Sequence, residues 1–162
     1  MGKIQTLGVF MKTVIQRVTS ASVTVNQTCI SSISKGYLIL LGIQNGDTDA
    51  DIKTLANKIA KLRIFADEND KMNLSIQDIR GEILLVSQFT LCALTRHGNR
   101  PAFTEAMPPD TADAMYRDFG KHLESLGIPI KYGQFGAMMD VALVNDGPVT
   151  ILLESKNGVL TC

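Results

Sequence analysis

The sequence predicts an α+β fold: one domain, built on a mostly antiparallel, barrel-like β-sheet that carries two main helices. Three observations predict it. Strand patterns cluster in the first third of the chain. Two separate segments repeat apolar residues at helical spacing. Strand patterns then return near the C-terminal end. Clustered strands with inserted helices are the signature of an α+β domain. The length of 162 residues suits one domain, and 45% hydrophobic with 20% charged residues is incompatible with intrinsic disorder.

In the first strand pattern Val14, Gln16 and Val18 alternate with Ile15 and Arg17, and Val23 and Val25 follow. Asn26-Gln27 reads as a turn before a second strand at 29–33. The run 37–43 is continuously apolar, as expected of a strand buried on both faces, and far too short to span a membrane. The loop 44–47 leads to Thr48, which with Asp51 resembles a capping box with a shortened acid. The helix it opens carries Ile52, Leu55, Ile59 and Leu62 on one face, with Lys53, Lys58 and Lys61 as its solvated side. Residues 63–65 read as a brief strand, 67–73 as a polar turn and 82–90 as a strong strand. A polar loop covers 91–101. Pro108-Pro109-Asp110 announces the second helix with Asp110 as N-cap, and Met115, Phe119, His122 and Leu126 form its apolar side. Gly127 follows as the C′ residue. Two further strands read at 138–145 and 149–153, separated by Asp146-Gly147-Pro148, which taken alone is a hairpin signal.

Charge and cysteine usage exclude several classes. Sixteen basic and sixteen acidic side chains cancel, which argues against a DNA-coating protein. Cys29, Cys92 and Cys162 are odd in number and widely spaced, so they read as free thiols of a reducing cytoplasm. His, Cys and carboxylates lack ligand spacing, and neither a metal nor a cofactor is expected. Residues 1–10 lack a signal-peptide pattern and read as an N-terminal extension ahead of a second candidate start at Met11.

No serine-hydrolase elbow, zinc-protease motif, P-loop or dinucleotide fingerprint is present. His122 reads as structural and His97 as a solvated loop residue. Three segments carry unusual chemistry. In Ser87-Gln88-Phe89-Thr90-Leu91 a strongly apolar strand suddenly gains three hydrogen-bonding side chains, at the kind of strand end where a rigid sheet positions reacting groups. Asn145-Asp146-Gly147-Pro148-Val149-Thr150 restricts the main chain through its proline. Gly133-Gln134-Phe135-Gly136-Ala137-Met138-Met139 mixes small residues with Phe and Met, as an apolar pocket for a base requires, although core packing is the commoner use.

Together with Ile15-Gln16-Arg17-Val18, Leu62-Arg63-Ile64-Phe65 and Lys71-Met72-Asn73-Leu74-Ser75, these segments resemble, in order, the D-aminoacyl-tRNA deacylase family. The resemblance covers 11–155 and leaves 156–162 as a C-terminal tail. It implies a homodimer with active sites at the subunit interface, acting on the 3′ end of aminoacyl-tRNA. The implied reaction is hydrolysis of the ester between a D-amino acid, or mischarged glycine, and the terminal adenosine, sparing L-esters. Ser87, Gln88, Phe89 and Thr90 then carry catalysis. Gly147-Pro148, with a cis bond, selects chirality in the partner's pocket, braced by Arg17. Phe135 and Met139, with Ala137 beside them, hold the adenosine. Arg96 and Arg100 are the first choices for tRNA phosphates. The competing readings are a nucleic-acid-binding module without catalysis and a related deacylase of relaxed chirality with a trans Gly-Pro bond.

Overall fold

A computed structural model describes residues 10–161. Most of the expected N-terminal extension, and Cys162, lie outside the described residues. The backbone of the fold is a long first strand, β1 (Met11–Val25), which serves three neighbours. It turns through Asn26-Gln27, both at positive φ, into β2 (Thr28–Ile33), and then pairs with β3 (Gly36–Gly42). Helix α1 (Asp49–Lys61) follows, then a small hairpin of β4 (Phe65–Ala66) and β5 (Met72–Leu74). Next come β6 (Glu82–Ser87), a 3₁₀ turn at Phe89–Cys92 and helix α2 (Pro109–Ser125). The chain closes with β7 (Ile130–Tyr132), β8 (Asp140–Lys156) and β9 (Val159–Leu160).

The main sheet runs β7-β6-β3-β1-β8-β9, with β2 also on β1. Its pairs are antiparallel except β3–β6 and β6–β7, which are parallel. Parallel neighbours need a crossover, and the two helices lie in those two crossovers. The sheet is therefore a curled, mixed half-barrel. Strand β3 is buried on both faces, as its apolar run predicts. Tyr37, Ile39 and Leu41 join Ile83, Leu85 and both helices in one core; Leu38, Leu84 and Val86 join Val18, Ala21 and Val23 in a second.

Helix α1 matches its predicted face, with Ile52, Leu55 and Ile59 buried and Ala56 and Ala60 added; Leu62 lies just beyond its end. Helix α2 needs two corrections. Pro108 occupies the N-cap position and Pro109 the first helical turn, so Asp110 lies inside the helix. Proline's fixed φ suits that position, where its missing donor leaves nothing unsatisfied. Of the helix's predicted apolar side, Phe119 is buried, together with Ala112, Tyr116, Gly120 and Leu123, while Met115 and Leu126 are only partly buried against the core. His122 instead meets Asn57 Oδ1 of α1 at 3.0 Å. Gly127 does end the helix, at φ +93°.

The two predicted C-terminal strands are one. Both halves of β8 pair with β1, Thr24↔Asp140 through Val18↔Asn145 and again from Gln16↔Thr150. Residues 146–149 bulge opposite Arg17. A hairpin would turn the chain back on itself, whereas this bulge keeps its direction. The tail expected at 156–162 is also part of the fold through Thr161. Asn157 and Gly158, both at positive φ, turn the chain so that β9 pairs back on β8.

That turn is anchored by the buried Asp51. Its carboxylate accepts hydrogen bonds from Ser155 Oγ (2.6 Å), Gly158 N–H (2.8 Å) and Thr48 N–H (2.9 Å). Burial pushes its pKa up, but these donors together outweigh burial and hold it below the ordinary value. Among the described residues the carboxylate of nearby Asp47 has only the Gln44 N–H at 2.6 Å, and burial, reinforced by the Asp51 charge, pushes it up to about 7. An acid raised in the folded state weakens folding as pH climbs from its unfolded value, near 3.8, through 7. Asp47→Asn removes that penalty and keeps an acceptor for Gln44. It is expected to raise Tm at pH 8, by an amount equivalent to at most roughly 4 kcal/mol, and to leave Tm unchanged near pH 4. Parallel thermal melts at the two pH values check it.

Candidate functional site

Strand β6 ends earlier than its pattern predicts. Gln88 N–H still donates to Leu41 O of β3 (2.8 Å), but the chain then coils into the 3₁₀ turn. Gly42 makes this possible, since a Cβ there would lie 2.8 Å from Leu91 Cβ and 3.3 Å from Gln88 O. The turn leaves the N–H groups of Phe89 and Thr90 without an acceptor among the described residues, as the first donors of any helix are left. Gln88 Nε2 donates to Thr90 Oγ1, which fixes the amide over the turn.

This strand end opens into a cleft of about 600 Å³. Ser87, Gln88 and Phe89 form one wall. Phe135, Gly136, Ala137, Met138 and Met139 form the second, and the third is Phe103, Met107 and Pro108–Pro109 at the entry of α2. Phe135 is held against Tyr116 at 5.8 Å between ring centroids, and Met139 Sδ accepts the Gln134 N–H at 3.4 Å. Phe89 and Phe103 meet edge to face at 5.1 Å, both exposed. None of the lining side chains titrates. Ser87 and Gln88 supply the polar side chains, and all others are apolar. The cleft can therefore bind a flat apolar ring and offer hydrogen bonds at one end, but it holds no side-chain base.

The structure thus brings together Ser87, Gln88 and Phe89 with Phe135, Ala137 and Met139. Thr90 is exposed just outside the lining. Arg96 and Arg100 are exposed in a loop pinched off by the Leu94–Ala102 bridge, and neither lines the cleft. Sequence reasoning missed Phe103, Met107 and the two prolines as lining. Their only signal was proximity to the helix start, which does not say what the preceding loop covers.

Gly147-Pro148 and Arg17 form a separate constellation on the bulge. The Gly147-Pro148 bond is cis, and both residues are exposed. Arg17 is nearly buried. Its Nε meets the Asp146 carbonyl at 3.2 Å and the Asp146 carboxylate at 3.3 Å, while Nη1 donates to Ile64 O at 2.5 Å. Asn145 Nδ2 closes the neck of the bulge, donating to Arg17 O (2.9 Å) and Val149 O (3.0 Å). Neither Gly147 nor Pro148 lines the cleft of its own chain. Among the described residues no group of three His, Cys, Asp or Glu side chains is placed to hold a metal ion. No helix among them is long and apolar enough to cross a membrane.

Comparisons with known proteins bear on this geometry. The family model described as D-Tyr-tRNA(Tyr) deacylase matches residues 14–154. A D-aminoacyl-tRNA deacylase of Roseiflexus castenholzii is 58% identical over 145 residues, covering 90% of this chain and 92% of that protein. One from Exiguobacterium sp. is 52% identical over 146 residues, covering 90% and 99%. A solved structure described as a c-Myc DNA unwinding element binding protein superposes with a TM-score of 0.86 at 48% identity, covering 90% and 99%. Another, described as a probable eukaryotic D-amino acid tRNA deacylase, has a TM-score of 0.79 at 15% identity, covering 90% and 100%, and speaks to the fold alone.

Proposed function

The chain belongs to the D-Tyr-tRNA(Tyr) deacylase family, and from that premise we propose that it hydrolyses the ester joining a D-amino acid, or mischarged glycine, to the 3′-terminal adenosine of tRNA. The observation that carries this reading is the cleft: an apolar slot ending at Gln88, with no titratable side chain in its wall, beside a turn whose first two N–H groups have no acceptor among the described residues. An aminoacyl ester is already activated. What it requires is stabilisation of the tetrahedral oxyanion and a placed water. The N–H groups of Phe89 and Thr90, with the Gln88 amide, are the donors for that oxyanion. The adenosine 2′-OH supplies the assistance that a histidine gives elsewhere. Phe135 and Met139 hold the adenine, with Ala137 giving it room. Arg96 and Arg100 meet phosphates of the acceptor end. The deacylase domain in this reading starts at residue 11 and includes 155, and the protein works in the cytoplasm.

Chirality is assigned to Gly147-Pro148 of a second copy, in a homodimer with the active sites at the interface. L- and D-residues differ only in the direction in which the side chain leaves Cα. A side-chain gate yields to that difference, whereas main-chain carbonyls held by a proline ring and by Arg17 do not. They accept the amino group of a D-residue and collide with an L side chain. Rejection by collision can exceed any attraction. Glycine has no side chain to collide and passes.

The test is release of D-tyrosine from D-Tyr-tRNA by the purified protein, with L-Tyr-tRNA and Gly-tRNA in parallel. Hydrolysis of the D- and glycyl esters alone supports the reading. Binding without turnover favours the nucleic-acid-binding module, the alternative suggested by the 48%-identical protein described as binding a DNA element. Equal hydrolysis of L- and D-esters rejects the chiral filter.

Arg17 is a positioning residue in this account. Arg17→Ala leaves the Asp146 and Ile64 carbonyls and a carboxylate unpartnered, which costs about 2–3 kcal/mol of stability. It is expected to lower D-ester kcat/KM at least about tenfold and to shrink the D/L ratio, because a loosened bulge no longer rejects L-esters. Arg17→Lys keeps the charge but not the fork that reaches both carbonyls, so it should restore stability more than selectivity. Melting curves and paired D- and L-ester rates separate the two effects.

A further inference from the structure

Beside the cleft lies a second, more open groove, lined by Thr24, Asn26, Gln27, Met138, Met139 and Asp140. Met138 and Met139 line both, so the two are continuous across these side chains. The groove differs from the cleft in chemistry. It sets a carboxylate, two amides and a hydroxyl around a thioether platform. Among the described residues none of the four polar side chains makes a side-chain hydrogen bond or an ion pair (Thr24 and Asp140 pair through their main chains). Met138 is 93% exposed, the most exposed large apolar side chain of those described. A fully exposed methionine next to idle hydrogen-bonding groups is an unusual surface. No Lys or Arg lines it, and a carboxylate repels phosphate, so the groove does not suit the RNA backbone.

It does suit a base edge. A carboxylate accepts from the exocyclic amine of cytosine, and amides supply the remaining donors and acceptors. Single-stranded RNA is read in this way, by unstacked bases laid on a side-chain platform with their edges hydrogen-bonded. Methionine gives a polarisable, adaptable platform. The nucleotide preceding the terminal adenosine of every tRNA is cytidine. We propose that the groove of Thr24, Asn26, Gln27, Met138 and Asp140 is a subsite for that penultimate cytosine, with Asp140 accepting its amine and Met138 under its ring. The inference rests on the deacylase reading, because it takes the terminal adenosine to lie in the neighbouring cleft. It gives the protein a means of telling the end of tRNA from a free aminoacyl nucleoside.

Calorimetric binding of non-hydrolysable amides tests it. The probes are 3′-(D-tyrosylamino)-3′-deoxyadenosine and the same compound extended at its 5′ side by cytidine or by uridine. The cytidine extension is expected to tighten binding roughly tenfold and the uridine extension much less, since uracil offers a carbonyl where cytosine offers an amine. Asp140→Ala should abolish the cytidine advantage and leave the affinity of the unextended compound unchanged. Met138→Ala should reduce the gain from either extension. Equal affinity of all three probes for the wild-type protein overturns the subsite while the cleft assignment stands. Failure of the unextended compound to bind overturns the cleft assignment and the subsite with it.

Discussion

Gln88→Ala is expected to lower kcat for D-Tyr-tRNA hydrolysis by roughly 10²–10³-fold with KM little changed, as loss of one oxyanion donor does elsewhere. The expectation follows from the cleft's composition. No lining side chain can act as a base, so the proposed barrier lowering comes from a few fixed donors. The Gln88 amide is fixed because Thr90 Oγ1 accepts one of its hydrogens. Thr90 is thus assigned to positioning, and Thr90→Ala should cost no more than about tenfold, the worth of one orienting hydrogen bond. Single-turnover kinetics on both variants check the contrast. Equal, complete loss in Thr90→Ala, together with a trapped acyl-enzyme in the wild type, would show instead that the threonine is a nucleophile.

Gly36→Ala is expected to have the largest effect on stability. Gly36 opens β3 opposite Glu82, the first residue of its parallel partner β6. A Cβ at Gly36 would lie 1.8 Å from the Glu82 carbonyl oxygen and 2.8 Å from its nitrogen. Both are main-chain atoms of the neighbouring strand, so no side chain can move aside. The two strands must separate, and β6 carries the Ser87–Gln88 end of the cleft. A loss of about 3 kcal/mol or more is expected, beyond ordinary overpacking. At roughly 2–4 °C per kcal/mol for a domain of this size, Tm should fall by about 6–12 °C. Gly46→Ala is the control. Gly46 also has a positive φ, +92°, but a Cβ there meets nothing within 4 Å. It should cost only about 1 kcal/mol, the ordinary penalty for alanine at a positive φ. Urea or thermal unfolding of the two variants distinguishes collision from backbone strain.

Much of this molecule is legible in its residues because the relevant physics is local. The 3, 4, 3 spacing of Ile52, Leu55, Ile59 and Leu62 names the buried face of α1, since helix periodicity alone decides which side chains coincide. Asn26-Gln27 announces its turn, and the run 37–43 announces a strand covered on both faces. Ser87 to Thr90 stands out because hydrogen-bonding groups end an apolar strand. The apolar pattern of α2 names Phe119 correctly but sets the face to one side of its true centre at Tyr116 and Leu123, because Met115 and Leu126 are apolar too and only the packing of sheet and helix ranks them. Asn157-Gly158 is a hairpin signal of the same local kind, and it turns the chain into β9.

The bulge at 146–149 marks the boundary between the two kinds of information. Asp146-Gly147-Pro148 by itself specifies only that a regular strand is interrupted. Whether the chain then reverses or continues depends on a partner 129 residues away, Arg17, whose guanidinium holds Asp146 and whose carbonyl receives Asn145. Likewise no local pattern placed Phe103 against Phe89, or set the segment from Phe135 to Met139 opposite the end of β6. By itself the sequence determined the fold class, both helices and the chemical character of the cleft's polar end, because propensity and periodicity act over a few residues. Only the tertiary structure decided which sheet edges pair, which face of α2 is buried and which distant loops close the cleft, because those outcomes are set by packing among residues far apart in the chain.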